Sequence, residues 1–433
     1  MYVANLRISG VRGFSGPREV NLDFTRPDGS YAGWTVLAGR NGSGKSTLLQ
    51  AVALTSAGPR IGVDIDRWGG SPAEPATASV RCEFRYDLEF DHGDPFTVTR
   101  PDTPIPAALR WTPDGLGLWR GDDPRIDGLW LRKPRGGWFL SGYGPFRRLS
   151  VAEMGRGGSK LRSGHQATGT LFDEDATLFE SVSWLVERRL FQLEGRPGAK
   201  ELLDSVLTLL GDGLLPDGFK IMRVDSDGLW VHRDNVRRPL RDMSDGYRAV
   251  TALVLDIVRQ MHVAYGTLTV ENRGGRPTLP YPGVVLIDEV DAHLHVSWQQ
   301  KIGEWLKTHF PMVQFIVTTH SPYICQSASP GGLIRLPGPD EHASPGVVDE
   351  ELYRRIVYGS GDDAIVTELF GVDSPYSSRA DELREDLGDL EVKVLDGTAT
   401  PADVDDYRRL SEELVSSPST RVREVSQSLG SDS

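Results

Sequence analysis

The chain has 433 residues, of which 39% are hydrophobic and 25% are charged, a composition that excludes a disordered, collagen-like or purely coiled-coil protein. It has no run of about 18 apolar residues and no signal-peptide pattern, so we expect a cytoplasmic protein that does not bind a membrane. Its two cysteines are too few for a disulfide framework or a cysteine-built metal site. The net charge of −13 is concentrated in residues 347–433, which hold 21 acidic and 9 basic side chains.

Alternating apolar residues and Gly-rich turns predict β-strands in the first third of the chain. The predicted strands cover residues 2–11, 19–24 and 34–38, two stretches within 79–99, and 138–143. Helical spacing follows the third strand over residues 46–53, whereas residues 101–137 are expected to form ordered loops or short strands. Between residues 100 and 162, 12 basic residues stand against 6 acidic ones. This excess indicates either an anion-facing surface or solvated loops.

The remainder of the chain predicts helices interleaved with strands. The predicted helices begin near residues 171, 199, 246 and 298, and the predicted strands cover 219–224, 228–231, 284–287 and 313–317. The last two strands are almost wholly apolar, which is typical of strands buried in a parallel sheet. The acidic end predicts small helices, one of which has Thr400 as N-cap and Pro401 in its first position.

Residues 39–46, GRNGSGKS, fit the phosphate-binding loop pattern G-x-x-x-x-G-K-[ST] between an apolar strand and a helix. Glycines let the backbone curl so that N–H groups point at phosphate oxygens, while the helix presents its positive end. Lys45 is expected to reach the β- and γ-phosphates, and the Ser46 hydroxyl to bind Mg²⁺. The alternative is a simple Gly-rich turn. The predicted nucleotide-binding residues here are Gly39, Arg40, Asn41, Gly42, Ser43, Gly44, Lys45, Ser46 and Thr47.

Two further core strands end in polar residues that suit phosphate chemistry. Asp288 and Glu289 follow residues 284–287, where Asp288 is expected to hold Mg²⁺ and Glu289 to polarise the attacking water. His320 follows residues 313–319 and is suited to contact the γ-phosphate. Taken singly, each feature has an ordinary structural alternative: an exposed strand end for the two acids and a structural histidine for His320.

A fourth motif, MSDGYR at residues 243–248, places a Ser hydroxyl and Gly backbone N–H groups at a helix N-terminus. This is an anion site of the same kind as the first, although a plain Ser N-cap is the better explanation when the motif is taken alone.

The set GRNGSGKST, MSDGYR, VVLIDEVDAHLH and IVTTHSP occurs in this order over residues 1–50 and 236–325. It resembles the ABC-type AAA family ATPases of the SMC and RecF class. Within that class the set most resembles the stand-alone predicted ATP-binding proteins "involved in virulence" and the ATPase subunits of Septu and retron-associated anti-phage systems.

The resemblance implies an α/β fold. The fold would be an ABC-ATPase head, with a mixed or parallel P-loop sheet and an antiparallel β subdomain, plus a helical lobe and a small acidic helical C-terminal region. We therefore expect a nucleotide-binding lobe with Walker A at 1–150 and a helical insertion lobe at 151–235. The signature motif, Walker B and switch His are expected at 236–346, and an acidic helical partner-docking region at 347–433.

The resemblance also implies ATP and Mg²⁺ as cofactors and a head-to-tail homodimer, or a higher even oligomer, around two ATP. Ser244, Gly246 and Arg248 of one subunit would face the γ-phosphate bound by Lys45 of the other. His295 takes the D-loop position. Since no glutamine lies between residues 50 and 166, residues 141–148 are expected to serve as the Q-loop.

Three functions remain open at this point. The first is an ATP-hydrolysing switch in anti-phage defence that controls DNA or an effector, such as a nuclease encoded nearby, and is not a nuclease itself. The second is a RecF-like DNA-repair ATPase that gates duplex DNA binding. In the third, the acidic end is the functional part and docks a protein partner under control of the ATPase.

Overall fold

The computed structural model describes residues 1–58, 68, 78–91, 103–112, 115–119, 136–145, 167–173, 178–372 and 374–414. The chain divides into two compact units, Met1–Ala364 and Ile365–Ser433. The predicted strand at residues 96–99 and most of the basic stretch 100–162 lie outside the described residues. No helix within the described ranges is both long enough and apolar enough to cross a membrane.

The first unit alternates strands and helices along the chain. Its strands are β1 Tyr2–Ser9, β2 Val20–Asp23, β3 Gly33–Ala38, β4 Ala78–Arg85, β5 Ile105–Thr112, β6 Gly115–Trp119, β7 Leu140–Tyr143, β8 Lys220–Asp225, β9 Gly228–Arg233, β10 Val236–Pro239, β11 Glu271–Arg273, β12 Arg276–Thr278, β13 Gly283–Ile287, β14 Val313–Thr319, β15 Leu333–Arg335 and β16 Gly346–Val347. The helices of the whole chain are α1 Lys45–Ala57, α2 Phe179–Leu193, α3 Ala199–Gly211, α4 Asp245–Tyr265, α5 Val296–His309, α6 Pro322–Cys325, α7 Glu350–Val357, α8 Gly361–Ile365, α9 Ser378–Leu395 and α10 Pro401–Glu413.

A six-stranded sheet in the order β16-β15-β3-β14-β13-β7 forms the centre of the first unit. All neighbouring pairs are parallel except β15 with β16 at the edge. Every residue of β13 and β14 is buried, which explains why these strands are nearly continuous apolar runs. The predicted buried parallel strands are therefore confirmed.

A second sheet, β2-β1-β4-β5-β6, is antiparallel throughout. Its inner face packs with α1 in a core that includes Leu6, Val52 and Phe84. Gln314, the one polar residue in the apolar part of β14, is fully buried and joins the two sheets. Its amide donates to Val3 O at 2.9 Å and accepts from Val3 N at 2.7 Å. Both polar groups of the side chain are thus satisfied in the core, next to an irregularity in the β1–β4 register.

A helical lobe follows, in which α2 and α3 pack against the three-stranded antiparallel sheet β10-β9-β8. Helix α3 begins at the predicted residue, whereas α2 begins at Phe179, eight residues after the start of the predicted helical pattern. Strand β10 was not predicted, because Val236–Pro239 combines two arginines with a proline and lies at a sheet edge, where proline is tolerated.

In the second unit, α9 and α10 pack against each other. Thr400 caps α10 in a reciprocal capping box with Asp403, and Pro401 occupies the first turn, as the sequence predicts. Taken together, the parallel P-loop sheet, the antiparallel subdomain, the helical lobe and the acidic C-terminal helices confirm the expected ABC-ATPase fold class. The finer division at residues 150, 235 and 346 stays a prediction.

Candidate active site

The carboxyl ends of four parallel strands meet at one edge of the central sheet. Ala38 of β3 pairs with Thr319 of β14, and Ile287 of β13 pairs with Val317 of β14 and Tyr143 of β7. The loops that follow these strands therefore lie side by side. This is the edge at which open α/β sheets bind their ligands.

The phosphate-binding loop joins β3 to α1. Gly42 and Gly44 take left-handed conformations, with φ of 76° and 95°, which glycine adopts without strain. A Cβ on Gly44 would lie 2.3 Å from the Phe14 ring, so only glycine fits there. The Ser43 hydroxyl is buried and has no hydrogen-bond partner within the described part of the chain, whereas the Ser46 side chain is exposed. A cradle of this form fits a polyphosphate on the end of a helix.

Lys45 lies folded against its own loop. Its ammonium donates to Gly39 O at 2.8 Å and to Arg40 O at 3.1 Å, and the residue is only 7% exposed. Burial lowers the pKa of Lys45 to about 8, against the opposing attraction of Asp288, Glu289 and Asp291. The lysine is therefore a partly desolvated cation beside three acids, and phosphate oxygens can replace the two carbonyls that now hold it.

Asp288 and Glu289 directly follow β13 and lie in two different environments. Asp288 is buried, accepts the Thr318 hydroxyl at 2.5 Å, and donates its backbone N–H to Tyr143 O at 2.7 Å. Glu289 is half-buried and has φ of 45°. A left-handed backbone at a residue other than glycine is strained, and such strain gathers at functional sites. The Glu289 N–H donates to Thr318 Oγ1 at 2.7 Å, which holds this turn in place.

His320 follows β14 directly and is exposed to solvent. Partial desolvation and then the charge of Lys45 lower its pKa, against the opposite influence of Asp291, Glu289 and Asp288. The ring is accordingly neutral at neutral pH, with one nitrogen able to donate and the other to accept. The mutual electrostatic influence of Lys45, the acids and His320 places all these groups at one site.

The segment after Glu289 forms a tight turn. The Thr319 hydroxyl donates a hydrogen bond to the Asp291 side chain. The Leu294 N–H donates to Asp291 O at 3.0 Å, and His293 between them has a left-handed backbone with φ of 66°. His295 is exposed and is the N-cap of α5, where its Nδ1 accepts from Ser297 N at 3.3 Å. Its predicted contact with nucleotide stays a prediction, since within this subunit the ring caps a helix.

The MSDGYR motif forms the N-terminal end of α4. Ser244 is the exposed N-cap residue of α4, yet its side chain makes no capping hydrogen bond. A Cβ on Gly246 would lie 2.6 Å from His293 O, and Arg248 pairs with Asp245 in the same turn. In the described residues, the side chains of Ser244 and Arg248 make no hydrogen bond to residues 39–47. The structure thus unites Lys45, Asp288, Glu289 and His320, while Gly246 packs against His293 in the turn that follows Glu289.

Residues 141–148, expected to replace the Q-loop, begin on β7 beside Asp288. Gly144 is packed so closely that a Cβ would lie 2.0 Å from Thr170 O. Tyr143, fully buried, donates to Asp256 of α4 at 3.0 Å, and Asp256 pairs with Arg259 at 2.9 Å. Burial and then Asp256 raise the pKa of the Tyr143 phenol. Strand β7, which ends at the candidate site, is thereby linked to helix α4, whose N-cap residue is Ser244. Residues 146–148 lie outside the described ranges.

Several supporting residues were missed by sequence reasoning. Thr318 forms hydrogen bonds with Asp288 and Glu289, and Thr319 forms one with Asp291. Their position directly before His320 was the sequence feature that could have indicated this role. Phe14 packs on Gly44, and Arg18 donates to Ser43 O at 3.3 Å and Pro337 O at 3.1 Å. These two approach from the first hairpin, and nothing in their local sequence marks them as neighbours of the loop.

The residues present fit a nucleotide with Mg²⁺. The glycine cradle and Lys45 suit the phosphates, and a hydroxyl with a carboxylate, Ser46 with Asp288, suits a hard cation. Fold and site together define an ATPase of the P-loop class, built as an ABC-type head.

Comparison with known proteins agrees with this class. Residues 143–326 match the family described as "AAA domain, putative AbiEii toxin, Type IV TA system", and residues 5–100 match a second family described as "AAA domain". Both matched families are described as AAA domains, and the two matches lie on either side of residues 101–142.

Among curated proteins, the chain is similar to the Septu protein PtuA of Bacillus mycoides. The two are 29% identical over 314 residues, which cover 72% of this chain and 37% of that protein. It is also similar to the Retron Ec83 probable ATPase of Escherichia coli, at 42% identity over 108 residues, 25% of this chain and 18% of the relative. These similarities confirm the resemblance predicted from the motifs. In both cases the match spans less than half of the relative's own length.

Among solved structures, an SMC head bound to the C-terminal winged-helix domain of ScpA aligns with a TM-score of 0.47 and 17% identity. The alignment covers 80% of this chain and 98% of that one.

Proposed function

We propose that this protein is an ATP-binding and ATP-hydrolysing switch of the SMC type that acts in anti-phage defence. The observation that carries the proposal is the convergence of Lys45, Asp288, Glu289 and His320 at one sheet edge. The similarity to a Septu protein and a retron ATPase supports the defence setting.

Each group at this edge has a distinct task in the proposed hydrolysis. Lys45 leaves the loop carbonyls to hold the β- and γ-phosphates, and Glu289 takes the proton of the attacking water. His320, neutral at neutral pH, makes a hydrogen bond to a γ-phosphate oxygen. Ser46 and Asp288 hold Mg²⁺, which when bound neutralises charge on the phosphates. The Thr318 hydroxyl keeps the two acids in their relative positions.

The proposed closed state is a head-to-tail homodimer around two ATP. Its support is the exposed Ser244 hydroxyl, which does not cap its own helix, at a helix end that favours anions. A γ-phosphate bound to Lys45 of one subunit would meet Ser244 and Gly246 of the other, with Arg248 and His295 nearby. Hydrolysis by Glu289 would reopen the dimer. This cycle would control a DNA-associated or effector activity.

The effector is proposed to be another chain, such as a nuclease encoded nearby, and the chain itself is proposed not to be a nuclease. The docking site for it is the C-terminal region, whose helices α9 and α10 carry exposed carboxylates at Glu382, Glu385, Asp389, Asp405 and Glu412. An acidic surface of this kind suits a basic partner.

Native mass measurement of the Glu289→Gln variant with ATP and Mg²⁺ tests the switch. We expect a species of twice the 47.7 kDa subunit mass, because ATP persists when its hydrolysis is blocked. The matched control adds Ser244→Arg, which places a bulky cation on the exposed turn and should leave the protein monomeric with ATP bound. A monomeric Glu289→Gln protein that is saturated with ATP would refute the proposed dimer.

A further inference from the structure

One face of the sheet β10-β9-β8 is basic and open to solvent. Lys220, His232 and Arg237 pair in register across the three strands, and the next row brings Arg223 opposite Trp230. Residues directly opposite each other share a face, as do residues two apart along a strand. Lys220, Arg223, His232 and Arg237 therefore stand on one surface, which we call the basic sheet face.

The other face of the same sheet is covered. Ile221, Val224, Leu229 and Val231 are buried, and the sheet packs there against α2 and α3. On the basic sheet face, by contrast, Lys220, Arg223 and Arg237 are exposed. The sheet is thus one-sided, with a hydrophobic side toward the lobe and a cationic side toward water.

Most cationic side chains of the basic sheet face are available to bind an anion. Within the described ranges, the side chains of Lys220 and Arg237 make no hydrogen bond or ion pair. Arg223 pairs with Asp225 at 3.1 Å but remains 66% exposed, so water screens that pair. Residues 219–241 hold six basic and three acidic side chains in a chain of net charge −13. The local charge opposes that of the whole protein.

One aromatic ring, that of Trp230, lies on the same face as these cations. Trp230 is half-buried on the central strand, and Met222 is 59% exposed on β8. Neighbouring strands are about 4.8 Å apart, so Lys220 and Arg237 stand about 10 Å apart on either side of the central strand. On an open sheet of this kind, the flanking cations can form ion pairs with phosphates, and the central aromatic ring can stack with a base.

We propose that the basic sheet face binds the phosphodiester backbone of a nucleic acid. Charge complementarity selects a polyanion, and the indole between the cations favours a nucleic acid over an acidic protein. Strand β10 runs through residues 240–242 into Ser244, so bound nucleic acid would lie next to the turn proposed to meet ATP in the dimer. Binding itself requires neither ATP nor hydrolysis and does not rest on the proposed function.

The test is fluorescence anisotropy with a labelled 30-nucleotide single strand and the matching duplex, with and without ATP, between 50 and 200 mM salt. The variant is Lys220→Gln/Arg223→Gln/Arg237→Gln. The control, Lys301→Gln/Arg355→Gln/Arg408→Gln, makes the same charge change at exposed residues elsewhere. All six side chains are exposed, so both proteins should fold, and their ATPase rates without nucleic acid report this independently.

We expect wild type and control to bind at least one probe with affinities within about threefold of each other. The basic-face variant should bind at least about 30-fold more weakly at low salt, with a shallower salt slope, since each lost phosphate contact removes about 0.7 to 0.9 from the slope. The stronger of the two probes identifies single strand or duplex as the preferred form. The proposal is overturned if neither probe binds wild type, if variant and control weaken equally, or if polyglutamate displaces the probe as well as unlabelled DNA does.

Discussion

The Thr318 hydroxyl donates to Asp288 Oδ1 at 2.5 Å and accepts the Glu289 N–H at 2.7 Å. One buried side chain at the end of β14 therefore sets the positions of both acids at the end of β13. A hydroxyl is needed for this, because the same oxygen must donate to a carboxylate and accept from an amide.

We expect Thr318→Val to lower ATP hydrolysis by at least about tenfold, which corresponds to about 1.4 kcal/mol in the barrier, with little change in ATP affinity. Loss of the buried hydroxyl should also reduce the free energy of unfolding by about 1–3 kcal/mol. Steady-state phosphate release and urea unfolding measure the two effects. Thr318→Ser, which keeps the hydroxyl, should retain most of the activity. Equal rates for Thr318→Val and wild type would show that this hydrogen bond does not position the acids.

ATP binding should take up a proton at alkaline pH. In the free protein the pKa of Lys45 is lowered to about 8 by burial, so Lys45 is mainly neutral at pH 9. Bound phosphates favour the ammonium form and raise that pKa again. Affinity should therefore be full below pH 8 and fall as pH rises above it. Calorimetry at pH 9 in buffers of different ionisation enthalpy should show uptake of nearly one proton, and at pH 7 almost none from this residue. Absence of uptake at pH 9 would contradict this assignment.

Gly44→Ala should abolish ATP binding and destabilise the protein. The new Cβ would both occupy a left-handed conformation and lie 2.3 Å from the Phe14 ring. Gly29→Ala is the matched control, since Gly29 has φ of 81° but open space around it. The control should cost about 1 kcal/mol and keep ATP binding, whereas Gly44→Ala should cost about 2–4 kcal/mol. Equal unfolding midpoints for the two variants would show that the Phe14 ring can move away from a Cβ at position 44 without lowering the free energy of unfolding.

Much of this fold could be predicted from sequence because the residues that define its main motifs are adjacent in the chain. The phosphate loop occupies eight adjacent positions, and Asp288 and Glu289 directly follow an apolar run, so local pattern sufficed to place both. Helix α1 extends to Ala57, four residues beyond the predicted end, because its later residues are buried by the antiparallel sheet.

The remaining features depend on contacts between distant segments. Gln314 interrupts an apolar strand because its side chain forms hydrogen bonds with the backbone of Val3. Phe14, 30 positions before Gly44 in the sequence, packs so closely on it that no side chain fits there. Arg18 supports the loop through carbonyls at Ser43 and Pro337. No local pattern indicates these pairs, because each is fixed only when two sheets pack together.

The most direct test of the central claim is ATP hydrolysis by Glu289→Gln, measured as phosphate release alongside ATP binding. We predict that hydrolysis falls by at least about 100-fold, while ATP affinity stays within about threefold of wild type because Lys45 and the loop are intact. Lys45→Ala should lose binding as well, which separates the two roles. Hydrolysis at the wild-type rate in Glu289→Gln would show that this carboxylate is not the base and that the proposed active site is wrong.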